Sequence, residues 1–259
     1  MQHILDNLEQ QQAWCKEQGI AYSILIAPNK EDVYGEFYDP HIVQVQKNDR
    51  IQQLQTYLKE QHCPVSVIYP LPLLREKKET GNLLYWKLDT HWSDYGTYWG
   101  YLAWMQALQQ QVKDLEILQP QQMTWQEMTK FDGDLARMLQ MDISEDKTAA
   151  VYVKPVPAGG WPYEMAECRK DEAGTPRFIR TVCAGKPHKV ILFRDSFSTS
   201  LLPYMSSTFG EVIYIWDHDL SSYAGLIQKE KPDIVLHELV SRSAMNLLWD
   251  TDTWQGREE

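Results

Sequence analysis

The chain lacks long hydrophobic runs. Its 259 residues contain no stretch of about 18 consecutive apolar residues, so no transmembrane helix is predicted. The first residues, MQHILDNLEQQQAW, also lack the basic start and the apolar core of a signal peptide. Taken literally, this predicts a cytoplasmic protein. The same sequence would result if an export segment had been removed or lay upstream.

Basic residues are scarce relative to acidic ones. The sequence has 25 Lys and Arg against 36 Asp and Glu, which gives a net charge of −11. A broad nucleic-acid-binding surface needs clustered Lys and Arg, so this class of protein is disfavoured. Small substrates and neutral polymers remain possible binding partners, whereas an anionic polymer would need a local basic patch.

Cysteine patterns typical of zinc sites or redox sites are missing. The four cysteines include no CxxC pair and have no zinc spacing. Cys168 and Cys183 flank a segment that contains Gly and Pro. Two interpretations stay open. Cys168 and Cys183 form a disulfide if the protein is located outside the cytoplasm, or all four cysteines are unpaired thiols.

Short apolar segments alternate with helical patterns along most of the chain. The apolar spacing predicts helices at 1–18, 43–61, 93–112, 197–208 and 220–230, and strands at 21–28, 64–70, 189–193, 211–216 and 233–239. Such alternation is typical of an α/β fold with a mainly parallel sheet. Residues 113–185 are less regular and rich in Pro, Gly and charge. We therefore expect one domain over residues 1–259, with an insertion or subdomain at about 113–185.

Ser196 stands where an open α/β sheet collects its reactive groups. It follows the apolar strand VILF and opens the next helix, at the carboxyl end of that strand. Its hydroxyl would be exposed there, and its backbone N–H would point to a developing oxyanion. Asp195, Ser196 and Ser198 are also good N-cap residues, so a capping role is the competing interpretation.

Asp89 and His91 lie two residues apart in KLDTHWSDYG. In an extended segment their side chains point to the same side. One interpretation is that Asp89, Thr90 or Ser93 caps the following helix and His91 has no role of its own. The others are that Asp89 and His91 are metal ligands, or the orienting carboxylate and the base of a catalytic triad. The sequence has no HxH, HxxxH or HExxH spacing, which disfavours a metal site. A triad needs a nucleophile, and Ser196 supplies one, since triads are assembled by the fold in any chain order.

Four segments resemble one known family, the SGNH-hydrolase-like domain of the alginate O-acetylation proteins. They are APNKEDVYGEFYDP (Ala27–Pro40), DTHWSDYG, GDLARML (Gly133–Leu139) and LFRDSFSTSLLPYMSSTF, in the family's order. The resemblance spans about residues 20–243. It implies a flavodoxin-like, three-layer α/β/α domain in which the catalytic Asp and His precede the Ser, and it assigns these roles to Asp89, His91 and Ser196.

The resemblance also implies an activity and a setting. Members transfer acetyl groups to, or remove them from, hydroxyls of exported polysaccharides through a metal-independent serine mechanism, with no cofactor. Most carry an export signal or a membrane anchor, which implies a periplasmic or cell-surface location. The acetyl donor implies a membrane acyltransferase or export-complex partner beside the glycan acceptor. Because the chain ends soon after DIVLHELVSRSAMNLL, we expect no carbohydrate-binding module at its C-terminus.

Several alternatives stay open from the residues alone. A carbohydrate acetylesterase would use the same triad with water as acceptor, and a silent glycan-binding scaffold would not need the triad. Four further residues are candidates for substrate binding or for supporting the site: Arg194, Lys30, Trp92 and Arg242. Arg194 is also expected to pair with a nearby carboxylate, and Trp92 is either a sugar platform or a core residue.

Overall fold

A mainly parallel sheet is the centre of the fold. The computed structural model describes residues 1–43, 45–46, 48–130, 132–140 and 150–248. Within these residues the sheet has seven strands, in the spatial order β2 (Ser66–Ile68), β1 (Ala21–Ala27), β9 (Ile234–Val240), β7 (Lys189–Phe193), β8 (Glu211–Ile215), β6 (Pro176–Val182) and β5 (Glu164–Lys170). The first five strands are parallel, and β6 runs antiparallel to its two neighbours.

Helices connect these strands and flank the sheet. Along the chain they are α1 (Gln2–Glu17), α2 (Lys30–Val33), α3 (Arg50–Glu60), α4 (Leu71–Lys78), α5 (Asp94–Leu108), α6 (Asp134–Met138), α7 (Ser198–Thr208) and α8 (Ala224–Glu230). Among the described residues, none of these helices combines the length and the apolar character that crossing a membrane requires.

Two neighbouring residues of β1 show that the molecule has three layers. The Tyr22 hydroxyl donates to Gln11 Oε1 of α1 at 2.6 Å. The Trp104 indole N–H of α5 donates to Ser23 Oγ at 3.0 Å. Successive side chains of a strand point to opposite faces, so α1 and α5 cover opposite faces of the sheet. The three-layer α/β/α architecture expected from the sequence is confirmed.

The central strands are buried on both faces. Every residue of β9 is buried, including His237 and Glu238, and six of the seven residues of β1 are buried. Parallel strands that helices cover on both sides have nearly continuous apolar sequences, which is why these segments were recognisable as strands.

Residues 113–185 hold more regular structure than their composition indicates. Strands β3 (Met123–Lys130) and β4 (Ala150–Pro157) pair antiparallel as a separate two-stranded sheet, and β5 and β6 extend the main sheet. Every residue of β5 is exposed, so its sequence carries no apolar alternation. The assignment of residues 1–259 to one domain with an insertion stays a prediction.

Cys168 and Cys183 are both free thiols, so the disulfide alternative is wrong for this structure. Cys168 lies in β5 opposite Ile179, whereas Cys183 follows the end of β6. The two cysteines are therefore several residues apart along the antiparallel pair, beyond the Cα separation of about 7 Å that a disulfide tolerates.

Candidate active site

Asp89 and His91 lie on a short hairpin formed by residues 85–92. Tyr85 and Trp92 pair at its base, and the Trp86 N–H donates to the His91 carbonyl at 3.2 Å. The hairpin leads directly into α5, whose N-cap is Ser93. The Ser93 hydroxyl accepts the Gly96 N–H at 3.2 Å. Of the three residues considered as caps of this helix, Ser93 supplies the cap, and Asp89 and Thr90 do not.

The three candidate catalytic side chains form a continuous hydrogen-bonded chain. Asp89 Oδ1 lies 2.7 Å from His91 Nδ1, and His91 Nε2 lies 2.7 Å from Ser196 Oγ. With Nδ1–H donating to the carboxylate, Nε2 is left to accept the serine proton. The fold thus joins the three candidate catalytic side chains from segments about a hundred residues apart.

The surroundings of Asp89 keep its carboxylate ionised. Burial by itself raises the pKa of Asp89, but hydrogen bonds from the His91 ring and backbone N–H outweigh this effect. The Lys130 ammonium, 3.3 Å from Asp89 Oδ2, acts in the same direction. The pKa of Asp89 is therefore held well below its usual value, and the carboxylate is ready to stabilise an imidazolium.

A second carboxylate, Asp134, lies beside the same imidazole. Asp134 Oδ2 is 3.5 Å from His91 Nδ1. Its two oxygens accept the Thr90 N–H at 2.7 Å and the Thr90 hydroxyl at 2.5 Å. Gly133 lets α6 approach this closely, since a Cβ there would lie 2.0 Å from the Leu88 carbonyl oxygen. The segment GDLARML is therefore part of the site.

Ser196 follows β7 in a turn held by two carboxyl groups. The Asp195 carboxylate accepts the Phe197 N–H at 2.7 Å and the Val240 N–H at 2.8 Å. The Glu238 carboxyl accepts the Ser198 hydroxyl at 2.6 Å and the Asp195 N–H at 3.4 Å. These bonds tie the turn that holds Ser196 to β9, and no hydrogen bond to another described residue occupies the Ser196 N–H.

Sequence reasoning did not single out Lys130, Asp134 or Glu238. Asp134 belongs to the segment GDLARML, which carries the family resemblance. This membership is the sequence signal that could have identified Asp134 as a site residue. Glu238 is a charged residue inside the apolar strand IVLHELV, which also distinguishes it. Lys130 ends a polar strand and has no local signature, because only the tertiary fold brings it to Asp89.

Two of the supporting candidates are buried. The Trp92 indole is fully buried and its N–H donates to the Phe197 carbonyl at 2.9 Å, so it has no face for a sugar. The Arg194 guanidinium donates to the Asp195 and Pro176 carbonyls at 3.2 and 3.1 Å. Its expected carboxylate pairing is replaced by these carbonyl contacts. Burial lowers the pKa of Arg194.

The other two supporting candidates lie nearer to solvent. Lys30 is partly buried, and its ammonium contacts backbone carbonyls of the hairpin. Arg242 is exposed; its guanidinium lies 5.1 Å from the Phe197 ring centroid and donates to Asn29 Oδ1 at 3.2 Å. Phe197 also contacts the His91 ring, at 4.8 Å between centroids. Arg242 is thus placed at the rim of the candidate site.

The same cluster offers ligand atoms for a metal ion. One ligand atom from each of Asp89, His91 and Asp134 lies within 4.8 Å of the others. Hydrogen bonds already engage these atoms, and the Lys130 ammonium contacts Asp89. A cation would have to displace these donors, so the arrangement fits proton transfer better than metal binding.

The fold and the resemblance together define an SGNH-hydrolase-like α/β domain. Residues 1–160 match the family model described as ALGX, SGNH hydrolase-like domain, acetyltransferase AlgX. The match covers more than half of the chain, and the chain belongs to this family. It includes Asp89, His91 and Asp134, whereas Ser196 lies beyond the matched residues. No curated protein matches the chain.

Solved structures share the fold. Bacillus cereus PatB1 is similar with a TM-score of 0.70 at 17% identity, over 95% of this chain and 90% of that chain. The O-acetyltransferase domain of Pseudomonas putida AlgJ gives a TM-score of 0.60 at 17% identity, over 97% and 85%. Pseudomonas aeruginosa AlgX gives 0.58 at 16% identity, over 95% of this chain and 57% of AlgX. At these identities, the likeness shows the fold alone.

Proposed function

We propose that this protein is a serine-dependent O-acetyltransferase that acts on hydroxyls of an exported or cell-surface polysaccharide. The hydrogen-bonded chain of Asp89, His91 and Ser196, with both links at 2.7 Å, carries the proposal. Membership of an acetyltransferase family supports acetyl chemistry. The similarity to a solved O-acetyltransferase domain is consistent with a hydroxyl acceptor.

The first half-reaction transfers acetyl to the enzyme. His91 Nε2 takes the hydroxyl proton of Ser196 as Oγ attacks the acetyl carbonyl carbon of a donor ester. The ester bond then breaks, and the imidazolium returns the proton to the departing oxygen. Asp89 holds the ring and stabilises its positive charge, and the Ser196 N–H donates to the oxyanion.

The second half-reaction transfers acetyl to the acceptor. His91 Nε2 removes the proton of a sugar hydroxyl, whose oxygen attacks the acetyl-serine carbonyl. The bond between Ser196 Oγ and the acetyl carbon breaks, and the proton passes to Oγ. The products are the O-acetylated glycan and free enzyme. With water in place of the sugar, the same steps release acetate, which is the esterase alternative.

The proposed acceptor determines where the reaction takes place. A polysaccharide that is modified during or after export meets the enzyme outside the cytoplasm. The acetyl donor must reach that side of the membrane, so we infer that a membrane acyltransferase or another export-complex member delivers it. This inference comes from the family resemblance.

The test uses an activated acetyl ester, with and without an oligosaccharide acceptor. We expect wild-type protein to release the ester's alcohol and to form an acetylated oligosaccharide when the acceptor is present. Ser196→Ala should lose turnover by a factor on the order of 10⁴ or more, because the covalent step needs Oγ. Intact-mass measurement should detect acetyl-enzyme in the wild type when the acceptor is omitted.

Ser200→Ala is the matched control, because it removes a hydroxyl from α7 four residues beyond Ser196 and leaves in place the bonds that hold the Ser196 turn. Equal turnover by Ser196→Ala and wild type would contradict the nucleophile assignment. If the yield of acetate is the same with and without the oligosaccharide acceptor, the result would favour the esterase. Glycan binding without any turnover would favour the scaffold.

A further inference from the structure

The Lys30 ammonium is surrounded by backbone carbonyls of the hairpin that carries Asp89 and His91. Nζ donates to the carbonyls of Trp86 at 2.8 Å, Lys87 at 2.8 Å and Asp89 at 3.0 Å. A lysine ammonium has three N–H donors, and three acceptors are present here. Hydrogen bonds from a charged donor are stronger than neutral ones, so this is a well-defined attachment.

The attachment joins two parts of the chain that approach each other only in the fold. Lys30 is the first residue of α2 and directly follows the loop at the end of β1. The hairpin has few backbone bonds of its own at its tip. These include the Asp89 N–H to the Trp86 carbonyl at 3.3 Å and the Trp86 N–H to the His91 carbonyl at 3.2 Å. Helix α6 also holds this tip, through the Asp134–Thr90 bonds and the Ala136 N–H to the Leu88 carbonyl, and Lys30 attaches it on the side of β1.

We propose that Lys30 is a positioning residue that holds the hairpin so that Asp89 and His91 stay aligned with Ser196. The inference rests on the proposed function. In this role Lys30 touches no substrate, in contrast to the substrate-binding alternative considered from the sequence. Its ammonium is occupied by the three carbonyls, and its effect on the reaction passes through the Asp89 backbone.

Lys87 provides a matched comparison. Lys30 and Lys87 line the same cleft of about 520 Å³, together with Tyr34, Phe37 and Tyr38. Lys87 is exposed, and its ammonium has no hydrogen bond to another described residue. Replacing either lysine removes one positive charge from the cleft, but only the Lys30 change removes the attachment.

The test compares Lys30→Met, Lys30→Arg and Lys87→Met in steady-state turnover of an acetyl ester. We expect Lys30→Met to lower kcat by a factor on the order of 10 to 100, since small displacements of catalytic groups have effects of this size. KM for the ester should stay within twofold of wild type. Lys30→Arg should recover part of kcat, because a guanidinium can also donate to carbonyls. Lys87→Met should retain wild-type kcat.

Hydrogen exchange of the backbone amides in residues 86–91 provides a measurement that does not depend on activity. We expect faster exchange in Lys30→Met than in Lys87→Met, while peptides of β7 and β9 stay unchanged. Unchanged exchange and unchanged kcat in Lys30→Met would overturn the proposal. A raised KM at constant kcat would overturn it too, in favour of substrate binding.

The two proposals fail in different ways. Faster exchange in Lys30→Met, combined with equal turnover by Ser196→Ala and wild type, would retain the structural attachment and reject the proposed chemistry. Loss of turnover in Ser196→Ala, combined with wild-type kcat in Lys30→Met, would retain the chemistry and reject the positioning role.

Discussion

At the scale of single residues, Asp89 determines how His91 faces Ser196. One carboxylate oxygen, Oδ1, contacts both the ring Nδ1 at 2.7 Å and the backbone N–H of His91 at 3.0 Å. The other oxygen, Oδ2, lies 3.3 Å from the Lys130 ammonium. With both oxygens engaged, the carboxylate has a single orientation, and so does the imidazole.

Replacing Asp89 by Asn should disable the site while leaving its shape nearly intact. The amide would favour the tautomer with its proton on Nε2, so His91 would no longer accept the Ser196 proton. We expect kcat for acetyl ester turnover to fall by about 10⁴-fold, the size of effect that loss of the carboxylate has in such triads.

Asp132→Asn is the control for this change, because Asp132 is an exposed acid near the same site whose closest ion pair, with Arg137, is 3.6 Å long and exposed. It should have wild-type turnover. Similar kcat values for Asp89→Asn and Asp132→Asn would contradict the orienting role of Asp89. Circular dichroism of both variants would establish that each is folded.

At the scale of secondary-structure elements, the strands with continuous apolar sequences were predicted well. The observed β7 has the predicted limits, Lys189–Phe193, because its residues are buried on both faces. The helix expected over 43–61 begins only at Arg50. Asp49 explains the late start, since its carboxylate accepts the N–H groups of Ile51 and Gln52 at 2.8 Å each. A local cap thus overrides the apolar spacing.

Helix α6 depends on the absence of a side chain at Gly133. An added Cβ would lie 2.0 Å from the Leu88 carbonyl oxygen and 2.8 Å from Asp89 Cβ. Gly133→Ala should therefore push α6 away and separate Asp134 from Thr90. We expect lower kcat and a loss of unfolding free energy of about 1–3 kcal/mol, the usual cost of overpacking, measured by urea titration.

Gly159→Ala is the corresponding control, since a Cβ at Gly159 would meet no atom within 4 Å. Its kcat should equal that of wild type. If Gly133→Ala had the same unfolding free energy and the same kcat as wild type, the close approach of α6 to the hairpin would not matter for the site.

At the scale of the whole molecule, the parallel sheet gathers the site at one edge. Strands β1, β9 and β7 are neighbours in the sheet and end at the same edge because they are parallel. Lys30 follows the first of them, Arg242 the second and Ser196 the third. This is the edge at which open α/β sheets bind their ligands.

Stability of the whole molecule should respond to the buried carboxyl of Glu238. Burial raises the pKa of Glu238 well above its usual value, and nearby Asp195 adds to the shift. The unfolded chain releases this proton near pH 4.3, whereas the folded chain keeps it to higher pH. The folded state then binds more protons than the unfolded state, so this group makes the unfolding free energy fall as pH rises.

Glu238→Gln should remove this dependence, because the amide cannot ionise. We expect the unfolding free energy of the variant, relative to wild type, to rise as pH increases above about 4.3, by up to about 1.4 kcal/mol per pH unit, until the folded-state carboxyl ionises. Chemical denaturation at several pH values measures it. Parallel pH profiles for the two proteins would contradict a raised pKa.

Glu230→Gln should behave in the opposite way. Hydrogen bonds from Arg180 and Lys189 lower the pKa of Glu230 to about 2. Its contribution to stability is therefore present above pH 4.3 and is lost as pH falls toward 2. The variant should be less stable than wild type at neutral pH, with the difference shrinking in acid.

The sequence by itself determined the α/β class, the buried strands, the family and the candidate residues Asp89, His91 and Ser196. These follow from local apolar runs, from turns at strand ends and from short motifs, all of which are visible along the chain. Tertiary structure decided which of the competing contacts each of these residues makes. Ser93 caps α5, so Asp89 is available to His91, and β7 brings Ser196 within 2.7 Å of the ring.

Tertiary structure also decided the supporting contacts. Lys30, Lys130, Asp134 and Glu238 each act on a segment far away along the chain, at distances fixed by the packing of the hairpin, α6 and β9. Hydrogen bonds of this kind depend on positions within a few tenths of an ångström. No local pattern of residues specifies such positions, because they result from how the sheet and its helices pack as a whole.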